Sequence, residues 1–164
     1  MAEREATAPK GESMDILRVL VVVCVAGWLA ISTFFSFAVA PLAFRVIDRG
    51  AAGQLVSAVL PRYYDWGIVL CAIALTGSAV LTVTGRRPRV RALAGIALCG
   101  TMLGLLLWAS IVVLPRAESS RRARDDTAFA LAHRSSVQLN GLTMLAGAAV
   151  LLLEALSRPA RRDR

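Results

Sequence analysis

Four long apolar stretches dominate this chain: 19–40, 66–84 and 92–114 carry no formal charge, and 137–156 carries Gln138, Asn140 and Glu154 near its ends around an uncharged centre from 141 to 153. Crossing the hydrocarbon layer of a bilayer as a helix takes about 20 predominantly apolar residues. Each stretch reaches that length, so four membrane spans are predicted. Composition agrees, because 57% hydrophobic residues and a mean hydropathy of +0.62 are too apolar for a soluble domain. The expected fold is an all-α membrane protein, an antiparallel bundle of four transmembrane helices. A polar tail over 1–15 precedes the membrane domain (16–157), and a basic tail over 158–164 closes it.

The net charge of +8 does not point to nucleic acid. Lys10 is the one lysine, and the arginines flank the apolar stretches, where they set topology and meet lipid headgroups. Four spans place the two termini and the 85–91 turn on one side. Lysine and arginine number three ahead of the first apolar stretch (Arg4, Lys10 and Arg18), four in that turn and four in the C-terminal tail, against three and five in the two long connectors. The positive-inside rule then puts both termini in the cytoplasm, with the connectors outside. Ala38-Val39-Ala40 looks like a signal-peptide cleavage site. The apolar run before it exceeds the roughly 7–15 residues of such a peptide, and Pro41 would follow the cut, so a retained first span is expected.

Prolines and glycines punctuate the rest. Helix one is expected to pass Pro41 by about two turns and stop at Gly50. Leu55, Val56, Val59 and Leu60 share one face of 51–60, which predicts a short interfacial helix ended by Pro61. Helix three is expected to end at Pro115, followed by a charged connector whose 128–132 portion begins helix four. Phe44, Tyr63, Tyr64, Trp66 and Trp108 fall near the connector end and read as an aromatic belt. Trp28 lies in mid-span, where it fills space between helices or turns its indole N–H to a cavity. Ser32, Ser36 and Ala40, Gly100 and Gly104, and Thr143 and Gly147 recur at four-residue spacing, which lets helices approach closely in lipid.

Chemistry is sparse. Cys24, Cys71 and Cys99 lie one to a span with no CxxC, as small hydrophobes rather than a disulfide or zinc framework. No P-loop, GxSxG, HExxH or carboxylate cluster of metal-ligand spacing occurs. Asp48 beside Arg45 or Arg49, Asp65 beside Arg62, and Glu154 with Arg158 read as ion pairs near helix ends. No charge is expected at a span centre, which argues against an ion-coupled transporter with a buried carboxylate.

The single histidine offers the best candidate site. His133, Ser136, Asn140 and Met144 fall on one helix face, given about 100° per residue, and run from the connector into the bundle. Arg45, Asp48, Arg62, Tyr63, Tyr64 and Asp65 come from the other connector, so a polar vestibule can form between them. The candidate binding residues are His133, Ser136, Asn140, Arg45 and Tyr64. Two uses of the stripe remain open. Ser136 and Asn140 can tie helices together while His133 sits among headgroups, or the stripe can contact a small molecule, a metal or a proton.

One long segment, GWLAISTFFSFAVAPLAFRVIDRGAAGQLVSAVLPRYYDWG, resembles the opening of transmembrane-protein-205-like proteins, whose bacterial members are grouped as a domain of unknown function. The shared features are Trp28, Phe34, Phe35, Pro41, Phe44, Gly53, Pro61 and Tyr64, with His133, Ser136 and Asn140 opening the last helix. The resemblance covers about 16–156 and implies a four-helix membrane protein with no established activity. A more distant likeness is to copper-resistance D-like proteins and haem-binding four-helix oxidases, which keep further histidines that this chain lacks. One histidine cannot supply two axial imidazoles, so neither haem nor copper is expected as a cofactor. The leading expectation is a non-enzymatic membrane protein that binds a small molecule or lipid at the vestibule. A redox or metal-handling role for His133, and a small transporter that forms a pore as a homo-oligomer, are the alternatives.

Overall fold

The computed structural model describes residues 10–84 and 88–156, with side chains from Ile16 onward, and within that range every regular element is helical. The helices are α1 (Lys10–Phe34), α2 (Ala40–Val46), α3 (Arg49–Val83), α4 (Arg89–Trp108), α5 (Leu114–Arg122) and α6 (Asp126–Ala155). Single π-helical turns, Phe35–Val39 and Ala109–Val113, join α1 to α2 and α4 to α5 without interruption. Four rods result, Ile16–Val46, Arg49–Val83, Arg89–Arg122 and Asp126–Ala155, each long and apolar enough to cross a membrane. Their most apolar windows are only 22–33% buried. The remaining apolar side chains, Val23, Val69, Ile111 and Leu145 among them, face outward as lipid contact demands.

The two prolines that follow the π-helical turns explain why the rods do not stop there. Proline lacks an N–H, and its ring crowds the carbonyl four residues back. A π turn opens the ladder by one residue just before that clash. The N–H of Ala40 accordingly reaches the carbonyl of Phe35, and that of Leu114 the carbonyl of Ala109. Helix three therefore runs past Pro115 to Arg122, against the expectation that it ends there. Helix one passes Pro41 as expected but breaks at Ile47, whose backbone is extended, and not at Gly50. Asp48 caps α3 by accepting from the N–H of Ala51 at 2.9 Å, which makes Gly50 part of the first turn.

The short interfacial helix expected over 51–60 is not separate: those residues belong to α3, which continues through Pro61 to Val83. Tyr63 and Tyr64, just beyond that proline, pack inward at 6% and 3% exposure and anchor the helix where it would otherwise bend away. That leaves Phe44, Trp66 and Trp108 as outward-facing members of the aromatic belt. At the other end α1 begins at Lys10, inside the segment read as a polar tail, while 1–9 lie outside the described residues. The 85–87 part of the arginine turn, and Arg158, also lie outside them.

The order of elements repeats along the chain. Each half runs as long helix, π turn, proline-bearing short helix, break, and long helix capped by aspartate. Asp125 accepts from the N–H of Ala128 at 2.9 Å, as Asp48 does in the first half. The rods close a ring in which α1 packs on α3 and α6, and α4 packs on the same two. Inside it, Val21, Cys24, Val25, Trp28, Cys71, Ala74, Cys99, Met102, Leu106 and Val150 form one apolar core.

Glycines set the closest approaches, Gly147 among them as expected, but not Gly100 or Gly104. A Cβ on Gly67 would stand 2.8 Å from two carbons of the Trp28 ring, and one on Gly77 would stand 2.7 Å from Val21. Gly147 sits under Met102 and Leu29 at 3.1–3.2 Å. Gly100 and Gly104 have nothing within 4 Å of such a carbon and serve no close packing. Trp28 fills helix–helix space, as one of the two expectations had it; its Nε1 has no hydrogen-bond partner among the described residues. Glu154 has a partner that the sequence reading did not name. It is 3% exposed and pairs across the bundle with Arg18 of α1, Nε to Oε2 at 3.0 Å. The last turn of α6 directs it inward; Arg158, its expected partner, lies outside the described residues.

Candidate functional site

Asn140 is the hub of the connector half of the bundle. α6 brings it against α1 and α3, where the amide uses all of its hydrogen-bonding capacity. Its Oδ1 accepts from Ser32 Oγ at 2.9 Å and from Tyr63 OH at 2.6 Å. Its Nδ2 donates to Ser36 Oγ at 3.0 Å and reaches Met144 Sδ at 3.8 Å. Two donors and two acceptor sites are all that an amide side chain has. The hydroxyls of Ser32 and Tyr63 are themselves 2.9 Å apart. Two hydroxyl protons thus serve three short contacts, and the triangle can switch which one it leaves without a proton.

A second tie lies one turn nearer the connectors. Tyr64 OH and Ser136 Oγ stand 3.0 Å apart, and either can donate. Around it the aromatic rings interlock: Tyr63 lies 4.8 Å from Trp28, 4.9 Å from Phe35 and 5.3 Å from Tyr64, centroid to centroid. In an apolar medium these hydrogen bonds have no water to compete with them. Interhelical bonds of this kind still average only about 0.6 kcal/mol each, because the separated helices also find partners. Their worth lies as much in fixing the register of α1, α3 and α6 as in energy.

Above this floor the rods diverge around a cavity of ≈ 630 Å³. Every rod contributes to its wall. Phe35, Pro41 and Phe44 come from the first, Leu60 and Tyr64 from the second, Val113 and Leu114 from the third, and Val137 and Met144 from the fourth. The whole stripe His133, Ser136, Asn140 and Met144 faces it. Arg45 does not line the cavity and is exposed; Asp48, Arg62 and Asp65 do not line it either. Arg62 and Asp65 pair with each other at the surface, 3.6 Å apart. Of the vestibule expected from the first connector, only the two tyrosines take part.

Two charged residues missing from that expectation do line the cavity, Glu118 and Arg121. They belong to α5, the segment that sequence alone makes a loop. The i, i+3 spacing that aims both into the site counts only once the helix is known to pass Pro115. Glu118 is held by Arg122, whose Nη2 donates to Oε1 at 2.8 Å. His133 is exposed at the rim, its ring stacked over Phe129 at 6.1 Å and 12°. None of the lining residues comes from the opposite half, where Val21, Cys71, Cys99 and Val150 are packed into the core, so the cavity does not continue through the bundle among the described residues. Nor, among them, do three His, Cys, Asp or Glu side chains gather in a group able to hold a metal ion.

Comparison with known proteins adds a family and no activity. The chain is 46% identical over 48 residues to an "Uncharacterized protein" of Aquifex aeolicus (strain VF5). That stretch is 29% of this chain and 36% of the relative, so the match spans about a third of the relative's length. No solved structure matches the chain significantly. Residues 23–126, from the first span to the start of α6, match a described family, and the chain therefore belongs to the bacterial family "Domain of unknown function (DUF4149)".

Proposed function

We propose that this is a non-enzymatic membrane protein, an antiparallel four-helix bundle whose connector-end cavity holds a small amphiphilic molecule. The observation that carries the reading is the cavity itself: ≈ 630 Å³, walled by apolar side chains from all four rods, with polar groups confined to its floor and rim. Ligand sites of small molecules fall at about 300–1,000 Å³, with mostly apolar walls and a few placed polar groups. The likeness to transmembrane-protein-205-like proteins at His133, Ser136 and Asn140 supports the same location. No metal or haem is part of the proposal. Arginine placement supports cytoplasmic termini and external connectors in a bacterial inner membrane. On that orientation, a cysteine introduced at Ser119 is labelled from outside intact cells by a membrane-impermeant maleimide; labelling only after lysis reverses the topology.

Gly141 provides the test of the cavity. It lines the cavity, and a Cβ there would meet nothing within 4 Å, so a larger side chain grows into open space. Native mass spectrometry of the protein released from mild detergent is expected to show a bound amphiphile on the wild type. Gly141→Trp is expected to lose it while keeping its stability within about 1 kcal/mol of the wild type, since the change creates no clash and removes a glycine from a helix. An equal adduct on a stably folded Gly141→Trp would sink the reading.

A further inference from the structure

We propose that the cavity selects single-chain amphiphiles with an anionic head, a carboxylate or a phosphate, and that Arg121 recognises that head. The inference rests on the reading that the cavity binds an amphiphile, and it assigns the chemistry of the ligand and the residue that reads it.

The floor is the first reason. Asn140 spends its whole amide on Ser32, Tyr63, Ser36 and Met144, and Tyr64 is engaged with Ser136. These groups have little left to offer a ligand, so the deep part of the site is in effect an apolar slot. From His133 down to Met144 the helix rises about 16 Å, at 1.5 Å per residue, which is room for an extended alkyl chain.

The rim is the second reason. Of Arg116, Arg121, Arg122, Arg124 and Arg134, Arg121 is the one that lines the cavity, and it is half-buried. Among the described residues it forms no ion pair. Glu118 also faces the cavity, but Arg122 neutralises it at 2.8 Å, so the rim keeps one net positive charge on Arg121. A guanidinium presents paired N–H groups that fit a carboxylate or phosphate with two bonds, and partial burial strengthens each of them. His133, held flat by Phe129, adds a second polar group at the same mouth.

Depth in the bilayer is the third. The rod Arg49–Val83 has 35 residues, about 50 Å of helix, against a hydrocarbon layer of about 30 Å. The apolar stretches 66–84, 92–114 and 137–156 fill that layer. Arg121 and His133 therefore stand at headgroup level, with the slot running from them toward the hydrocarbon. A bilayer amphiphile arrives in that same orientation.

The test uses three photoactivatable probes on the full chain in phosphatidylcholine nanodiscs. They are palmitic acid with a diazirine in its tail, lysophosphatidic acid with the same tail, and the methyl ester of the first. Peptide mass spectrometry reads labelling at Val137 and Met144. Either anionic probe, or both, is expected to label the wild type about tenfold more than the ester, the scale of one charge-assisted contact. Whichever of the two labels identifies carboxylate or phosphate as the preferred head. Arg121→Gln is expected to bring anionic labelling down to the ester's level, with Arg121→Lys between the two and Arg116→Gln, exposed and outside the cavity wall, close to wild type. Equal labelling by acid and ester, or anionic labelling unchanged in Arg121→Gln, overturns the assignment of the head. Loss of labelling to excess inorganic phosphate overturns it too, because a free anion would then suffice. If labelling of all three probes survives Gly141→Trp, it is the cavity reading that fails, and the two failures are thus distinct.

Discussion

Gly67→Ala is expected to lower the stability of the detergent-solubilised protein by about 1–3 kcal/mol, the usual cost of forcing a methyl into a filled core. The argument is local. The new Cβ would lie 2.8 Å from Cη2 and Cζ3 of Trp28, and the indole is fully buried with the Tyr63 ring tilted against it, 4.8 Å away. A flexible side chain could swing aside, but a rigid bicyclic ring held between α1 and α3 cannot, so the two helices must separate. In lipid, helix association draws on van der Waals contact more than on any hydrophobic drive, and separation is correspondingly costly. Gly104→Ala is the matched control. Its Cβ meets nothing within 4 Å, so the change is expected to be neutral, or to gain up to about 1 kcal/mol from helix propensity. Thermal unfolding followed by near-ultraviolet dichroism separates the two. Equal shifts for both variants would show that Gly67 is not a packing contact.

That pair of glycines also shows where sequence reading reached its limit. The four spans were legible because a bilayer imposes a length and a polarity that any window reveals. Which glycine touches which helix was not, because small-residue spacing is shared by faces that pack and faces that meet lipid. Gly100 and Gly104 have the spacing and no neighbour, while Gly67 and Gly77 have neighbours and were passed over. The His133–Ser136–Asn140 face was legible from helical period alone. Its partners were not: Ser32 and Ser36 passed as small packing residues, when Ser32 of α1 donates to Asn140 and Ser36 in the following π turn accepts from it. Proline misled in a systematic way. Pro61 and Pro115 were given the meaning they have in water, as stops, whereas in these rods a preceding π turn, or a pair of inward tyrosines just beyond, carries the helix through. The price was Glu118 and Arg121, hidden in a supposed loop.

Arg18→Met is expected to be among the most damaging single changes, at about 3–5 kcal/mol, because it breaks an ion pair whose carboxylate is buried in the bundle. The Glu154 side chain is only 4% exposed and that of Arg18 31%, so this is a pair with one foot in solvent and one in the core. Arg18 also holds α6 twice: Nε donates to the Glu154 carboxylate, and Nη2 donates to the main-chain carbonyl of the same residue in the helix's last turn. Carbonyls at a helix end lack partners further along the chain and gain from a cation. Arg18→Lys should therefore recover part of the loss, since an ammonium keeps the charge but cannot present two fixed N–H directions. The discriminating variant is Arg18→Met/Glu154→Leu. Replacing a buried ion pair by apolar residues is often neutral or stabilising, so the double variant is expected to regain most of what the single one loses. In that outcome the pair specifies which end of α1 meets which end of α6, and adds little to net stability. A double variant as unstable as Arg18→Met would mean that the pair does not couple across the bundle, and that Arg18 acts on α6 through its main-chain bond alone.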